Sequence, residues 1–365
     1  MIKKQNKRFL SALVSVIMLI SLLPSFVFAA DGTPKINAEN GAYIIEDVKD
    51  LVWFGDQITT GISNTINAEL ANDIDLSGTS WTAISYPSSA GVSAAFAGTF
   101  DGKGHLVKGL NINTTNSNQG FFGYVNGGTI KNLRVEGDVY SSNSYVAGIV
   151  GNMKAGTIEN CSFSGTVSAK GNYAGGIIGA TNVSSTVTVS GCVNNANVEA
   201  SNSAGGIIGY VPKKTNTTII NCYNTGAISN AKYIGTIAAY LYKPATAKVE
   251  NCYSINSTAD IYAYPQDNGA KSTNCYKDGL KDGVKITAED LGDAFVEDSD
   301  NINGGYPILA WQSGSAPQPK DPELKISGVG ELFLTNRSGE QVFTTLTAVY
   351  LNTDDTVPVE WSVES

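Results

Sequence analysis

Gly120-Phe121-Phe122-Gly123, Gly148-Ile149-Val150-Gly151, Gly176-Ile177-Ile178-Gly179 and Gly206-Ile207-Ile208-Gly209, followed by a degraded Gly235-Thr236-Ile237-Ala238, repeat one phrase at starts 28, 28, 30 and 29 residues apart. Between them runs a second phrase: Thr129-Ile130-Lys131-Asn132-Leu133, Thr157-Ile158-Glu159-Asn160-Cys161, Thr188-Val189-Ser190-Gly191-Cys192, Thr218-Ile219-Ile220-Asn221-Cys222 and Lys248-Val249-Glu250-Asn251-Cys252. A fixed period near 30 means stacked repeats, each burying its apolar side against its neighbours.

Each period holds three short apolar segments separated by polar or glycine-rich corners, for example Thr157-Ile158, then Cys161 to Val167, then Gly175 to Ile178. None has helical spacing. Matching apolar positions recur at Val139, Val167, Val198 and Ile228. The pattern predicts an all-β chain, a right-handed parallel β-helix with coils of 28–30 residues; strand-to-parallel-strand crossovers take that hand almost always.

The corner before the Leu/Cys position holds Asn132, Asn160, Gly191, Asn221, Asn251 and Asn274. Asn and Gly share a tolerance of left-handed backbone angles, so an αL bend with asparagines bonded from coil to coil is expected. On this reading Gly191→Val destabilises the chain more than a change at Ser190.

Leu133, Cys161, Cys192, Cys222, Cys252 and Cys275 then form one buried column. A site that takes Leu or Cys is apolar, and free Cys behaves as a small hydrophobe. An unbonded stack is the preferred reading; disulfides remain an alternative, because rungs about 4.8 Å apart fall within reach of one.

The termini read differently. Residues 1–29 have a basic opening (Lys3, Lys4, Lys7, Arg8), an apolar run and the exit Val27-Phe28-Ala29, the pattern of a secretory signal peptide. Its removal takes away four positive charges and shifts the formal charge of −9 to −13. Such acidity argues against nucleic acid or anionic lipid as partner, and no other apolar segment is long enough to span a bilayer, so no membrane insertion is expected after cleavage. Export points to a secreted or cell-surface location, where a glycan or a cell-surface protein is the expected partner.

Residues 30–100 read as an N-terminal cap and lead-in strands. Val48, Leu51, Val52, Gly55 and Ile58 form the stripe of a short helix, and Leu70, Ile74, Leu76, Phe96 and Phe100 supply the strand alternation. The repeats occupy 101–276. A C-terminal cap follows at 277–311, with Thr287 as a helix N-cap. Residues 312–323, with Pro317, Pro319 and Pro322, form a linker, and 324–365 read as the first half of an immunoglobulin-like β-sandwich, the chain being expected to continue beyond Ser365.

Asn72-Asp73-Ile74-Asp75-Leu76 and Gly98-Thr99-Phe100-Asp101-Gly102-Lys103-Gly104-His105, followed by the iterated Gly-x-x-Gly phrases, resemble the GLUG-motif proteins of bacterial cell surfaces. The tail from Leu324 resembles a bacterial Ig-like domain. The resemblance implies export, a β-helical solenoid and a place in large modular surface proteins; it supplies no catalytic residues. The motif also occurs in the non-catalytic region of some IgA-cleaving metalloproteases, but no zinc-protease signature is present here.

Candidates for chemistry are few. The single histidine, His105, supports no His-dependent triad. Asp73, Asp75 and Asp101 offer the oxygen ligands Ca²⁺ takes, yet aspartates at turns need no metal, so no cofactor is expected. Glu136 and Asp138 alternate with Arg134 on one strand and could form an acid/base pair. Ser164, Thr166, Asn195 and Asn197 replace them in later coils, which favours a solvated face over the active site of a polysaccharide-cleaving enzyme. Tyr223, Tyr253 and Tyr276 follow inward cysteines, so an outward column able to stack on sugar rings is expected. The leading function is a non-enzymatic adhesion, stalk or glycan-contacting part of a larger modular protein.

Overall fold

The computed structural model describes residues 32–85, 95–242, 246–255, 259–264 and 271–313, with short strands at Lys325–Ile326, Leu332–Phe333, Leu346–Ala348 and Trp361–Val363. The signal-peptide reading at 1–29 and most of the linker lie outside those residues.

Four columns of parallel rungs build a β-solenoid. In the first column, Tyr43–Ile45 pairs with Ala68–Leu70, which pairs with Thr99–Asp101. The column continues through 129–131, 157–159, 186–190, 216–220 and 246–250 to 271–273. The second starts at Ile74–Asp75 and passes through Leu106–Thr114, Arg134–Ser141 and Ser162–Ala169. Later coils split that rung into Val193–Asn194 with Asn197–Ala200, and Tyr223–Asn224 with Ile228–Ser229. The third stacks Val146–Ala147, Tyr173–Gly175, Ser203–Gly205 and Tyr233–Gly235. The fourth carries the Gly-x-x-Gly strands, Phe122 over Val150, then Ile178, Ile208, Ala238 and Tyr262.

Pairing of this kind already holds from Tyr43 to Asp101, so the residues expected to be a cap and lead-in strands are themselves coils. They keep the in-out alternation, with Ile45, Leu70, Ile74 and Phe100 buried, but lack the glycine phrase that made later coils visible.

The interior is a continuous apolar column. Ile130, Ile158, Val189, Ile219 and Val249 fill one side, and Val139, Val167 and Val198 another. Ile228, in the same series, is only partly buried against it. Each fully buried aliphatic side chain contributes about 1.5–3 kcal/mol, repeated in every coil. Both middle residues of the glycine phrase are buried, as at Ile177 and Ile178, because the chain turns tightly there. The turn leaves no room for a side chain: a Cβ on Gly148 would stand 2.0 Å from the Phe163 ring.

The first coil is closed by α1, Val48–Thr59. Asp47 caps it, its carboxylate accepting from the amides of Lys49 and Asp50 at 2.8 and 3.1 Å; such a cap contributes about 1 kcal/mol. Leu51, Phe54, Gly55 and Ile58 face inward, and the Phe54 ring lies 5.9 Å from Phe96 and 5.4 Å from Phe100. The expected stripe is corrected at Val52, which is 40% exposed. Phe54 lies three residues from Leu51, on the same helical face.

At the other end α2, Ala288–Leu291, starts at Thr287 with a capping box closed by Asp290. Phe295–Val296 pairs antiparallel with Ile308–Leu309. The segment from 277 folds back over the outside of the last coils.

The chain divides into two compact units at Ala310. In the second, Lys325–Ile326 pairs antiparallel with Leu332–Phe333, and Leu346–Ala348 with Trp361–Val363. The rest of the expected immunoglobulin-like half-domain lies outside the described residues.

Candidate functional site

The corner residues come first because they fix the register of everything outside. Asn132, Asn160, Gly191, Asn221, Asn251 and Asn274 have φ of 52°, 51°, 61°, 54°, 49° and 50°. Their side chains link neighbouring coils: Asn160 donates to Asn132 at 3.4 Å, Asn251 to Asn221 at 3.1 Å and Asn274 to Asn251 at 3.0 Å. Asn132 donates in turn to the Asp101 carboxylate at 3.0 Å. Gly191 interrupts the series; a Cβ there would meet Asn160 Oδ1 at 2.3 Å.

Next to the corner, Leu133 and four cysteines are buried and Cys275 is half-buried. All five cysteines are unpaired thiols. Each Sγ donates to the carbonyl two residues back, at 3.1–3.3 Å from Cys161 to Cys275. Burial pushes the thiols of Cys161, Cys192, Cys222 and Cys252 well above the ordinary value. Cys275, which accepts from Cys252, is lowered instead. Four thiols are therefore buried filling, and Cys275, half-buried on the last rung, is the most accessible of the five.

The carboxylate candidates are occupied by local structure. Asp73 accepts from the Leu106 amide at 2.9 Å and lies 3.1 Å from His105 Nδ1. Asp75 accepts from the Ser77 amide at 2.9 Å and pairs with Lys108 at 3.1 Å. The Ser77 hydroxyl and amide, then Lys108, hold Asp75 down at about 2. Asp101 accepts from the Lys103 amide and Asn132. The three are not gathered round a common point, and no group of three or more metal-ligating side chains forms among the described residues. Glu136 and Asp138 do share the exposed face of Arg134–Ser141, where Asp138 accepts from the Thr166 hydroxyl at 2.5 Å and Arg134 donates to the Gly104 carbonyl at 2.9 Å.

The expected outward tyrosine column requires correction. Tyr223 and Tyr253 are buried, at 1% and 0% exposure, and stack on each other at 4.9 Å with an 11° tilt. They do point away from the coil interior, but the C-terminal segment covers Tyr253, on which Tyr223 stacks. Phe295 lies 5.9 Å from Tyr253, and the Tyr253 hydroxyl donates to the Pro307 carbonyl and accepts from Asn303 at 2.6 Å. Tyr276 is half-buried and donates to the Asp290 carbonyl at 3.3 Å. These rings hold the cap on; no sugar reaches the first two.

A different aromatic row lies on the outer side of the third and fourth columns, and sequence reading missed it. Tyr145 and Tyr173 are 5.5 Å apart, Tyr173 and Tyr210 stack at 4.2 Å and 9°, and Tyr210 and Tyr240 are 5.6 Å apart. Tyr233 meets Tyr240 edge-on at 4.8 Å, and Tyr242 extends the row at 5.9 Å. All are half-buried except Tyr242, which is 41% exposed. Burial, then the neighbouring rings, raises Tyr210 to about 12, so its hydroxyl stays a donor. Lys232 Nζ sits 5.0 Å over the Tyr233 ring. Tyr173 and Tyr210 turn their faces to one another and their hydroxyls are hydrogen-bonded together, whereas Tyr145, Tyr233 and Tyr240 meet their neighbours tilted or edge-on.

Comparison with known proteins bears on the coil, not on this row. Residues 142–168 match the model of the GLUG motif. That span covers one rung of each of the four columns: Val146–Ala147, the second glycine phrase, 157–159 and most of Ser162–Ala169. The fold also resembles the crystal structure of a "putative immunoglobulin A1 protease" from Bacteroides ovatus, at TM-score 0.50 and 19% identity, over 79% of this chain and 99% of that one. At that identity the likeness concerns the fold alone. No curated protein matches the chain in sequence.

Proposed function

We propose that this chain is a non-enzymatic repeat module of an exported surface or secreted protein, a rigid stalk whose outer face serves adhesion. One observation carries the reading: the positions that recur in every coil build the coil. The αL corner, the Leu/Cys column and the Gly-x-x-Gly turn all point inward or are locked between rungs. On the outside, by contrast, Glu136 and Asp138 give way to Ser164 and Thr166 in the next coil, so no reaction centre is repeated or deepened. The GLUG motif and the fold likeness support a repeat module. Export by residues 1–29 and an Ig-like spacer from Leu324 belong to the same proposal.

Incubating the purified chain with assorted polysaccharides tests it. Unchanged reducing ends and no unsaturated products are expected; either product would replace the stalk with a polysaccharide-cleaving enzyme.

A further inference from the structure

The charge of this chain is unevenly spread. Between Asp138 and Glu250 the acids are Glu159 and Glu199 alone, against seven lysines, in a chain of formal charge −9. Glu199 is held by Ser168, Lys170 and Asn230, and Glu159 lies beside the asparagine corner, in the first column. Lys170 and Lys248 have acidic partners. Lys154, Lys213, Lys214 and Lys232 are exposed and form no ion pair among the described residues.

Those four lysines flank the tyrosine row. Lys213 and Lys214 form the turn directly after Tyr210-Val211-Pro212, a turn closed by the Thr215 hydroxyl on the Pro212 carbonyl at 2.6 Å. Lys154 follows Met153, which the register through Ala180 and Thr181 sets in line with Val211, and Lys232 Nζ lies over the Tyr233 ring. An aromatic ring carries positive potential at its edge, and a phenol hydroxyl donates as well as accepts. Phenol hydroxyls and ammonium groups together suit oxygen anions, whereas the flat faces of Tyr173 and Tyr210, on which a neutral sugar would stack, are turned toward one another.

We propose that the Tyr145–Tyr173–Tyr210–Tyr240 row, with Lys154, Lys213, Lys214 and Lys232, binds an acidic polysaccharide laid along the coil axis. The tyrosine hydroxyls donate to its carboxylate or sulfate oxygens, and the lysines neutralise its charge. Rungs about 4.8 Å apart bring about one coil to each sugar of roughly 5 Å, so successive charges find successive coils. This rests on the reading of the chain as a binding module and names its ligand class.

The test measures retention of the whole chain on immobilised polygalacturonate, chondroitin sulfate and dextran. Retention on the first two, absent on dextran and lost near 1 M salt, where screening reaches about 3 Å, is expected. Lys213→Glu/Lys214→Glu should weaken it at least tenfold, and Tyr210→Phe about fivefold, both without a change in melting temperature. Lys49→Glu, an exposed lysine on α1, should leave it unchanged. Tighter binding to dextran, salt-independent retention, retention only on anionic lipid vesicles, or full retention by the double lysine variant would each overturn the acidic-glycan proposal. None of those outcomes involves cleavage, so the stalk reading is judged separately by its own assay.

Discussion

Gly148 and Phe163 show what one residue decides in this fold. A methyl group on Gly148 would overlap the Phe163 ring at 2.0 Å, so Gly148→Ala should lower stability by about 1–3 kcal/mol. Phe163→Ala leaves a cavity and should cost about 3–5 kcal/mol. The double variant should lose less than the sum, since the new methyl enters the space the ring left; additive losses in denaturant unfolding would mean the two do not touch. In the next coils Asn194 and Asn224 take the place of Phe163, fully buried, with Asn194 donating to Asn224 at 2.7 Å. This second asparagine pair was not legible, because an Asn beside a corner reads as polar surface and only the register with Phe163 turns it inward. The αL corner was legible, because only Asn and Gly occupy it. Gly191→Val combines a strained φ with a clash on Asn160, and should melt well below a Ser190→Val control.

At the scale of elements, the thiol column and the rung at Glu199 separate by exposure. In the native chain a soluble thiol reagent should modify one cysteine of five, Cys275, and all five after unfolding; two or more fast native thiols would contradict the buried column. Glu199 is pulled from 4.5 to about 2 by the Ser168 hydroxyl first, then by Asn230 and Lys170. Its folded value is depressed, so its contribution is present above about pH 4.5 and is lost as pH falls toward 2. The carboxylate is partly solvated, so Glu199→Gln should cost at most about 1 kcal/mol at neutral pH. The difference from the parent chain should disappear near pH 2 when stability is followed by urea unfolding.

Across the whole molecule, the solenoid was readable because its period is printed in the sequence, whereas what covers it was not. Tyr223 and Tyr253 follow cysteines that face inward, so they do face outward; Tyr253, on which Tyr223 stacks, is buried because the segment around Phe295 to Pro307 returns over it, a contact between segments about 50 residues apart with no local signal. Removing the Tyr253 hydroxyl would strand the buried Pro307 carbonyl, so Tyr253→Phe should cost about 1–3 kcal/mol. A melting temperature equal to that of the parent would detach the cap from these rings. The tyrosine row was hidden for a related reason. Tyr145, Tyr173 and Tyr233 come from one column and Tyr210 and Tyr240 from the next, so they merge only when the coils are stacked.

That stacking is the central claim, and a disulfide tests it most directly. Glu136 and Ser164 are opposed across neighbouring coils on the outer face, with Cα atoms about 5 Å apart, within the range a disulfide spans. In a Cys275→Ser background, Glu136→Cys/Ser164→Cys should oxidise readily, with the bond located by peptide mass mapping. Glu136→Cys/Thr166→Cys, displaced two residues along the rung and about 8 Å apart, should not. Failure of the first pair to form, or equal oxidation of both, would contradict the 28-residue coil register on which every other assignment depends.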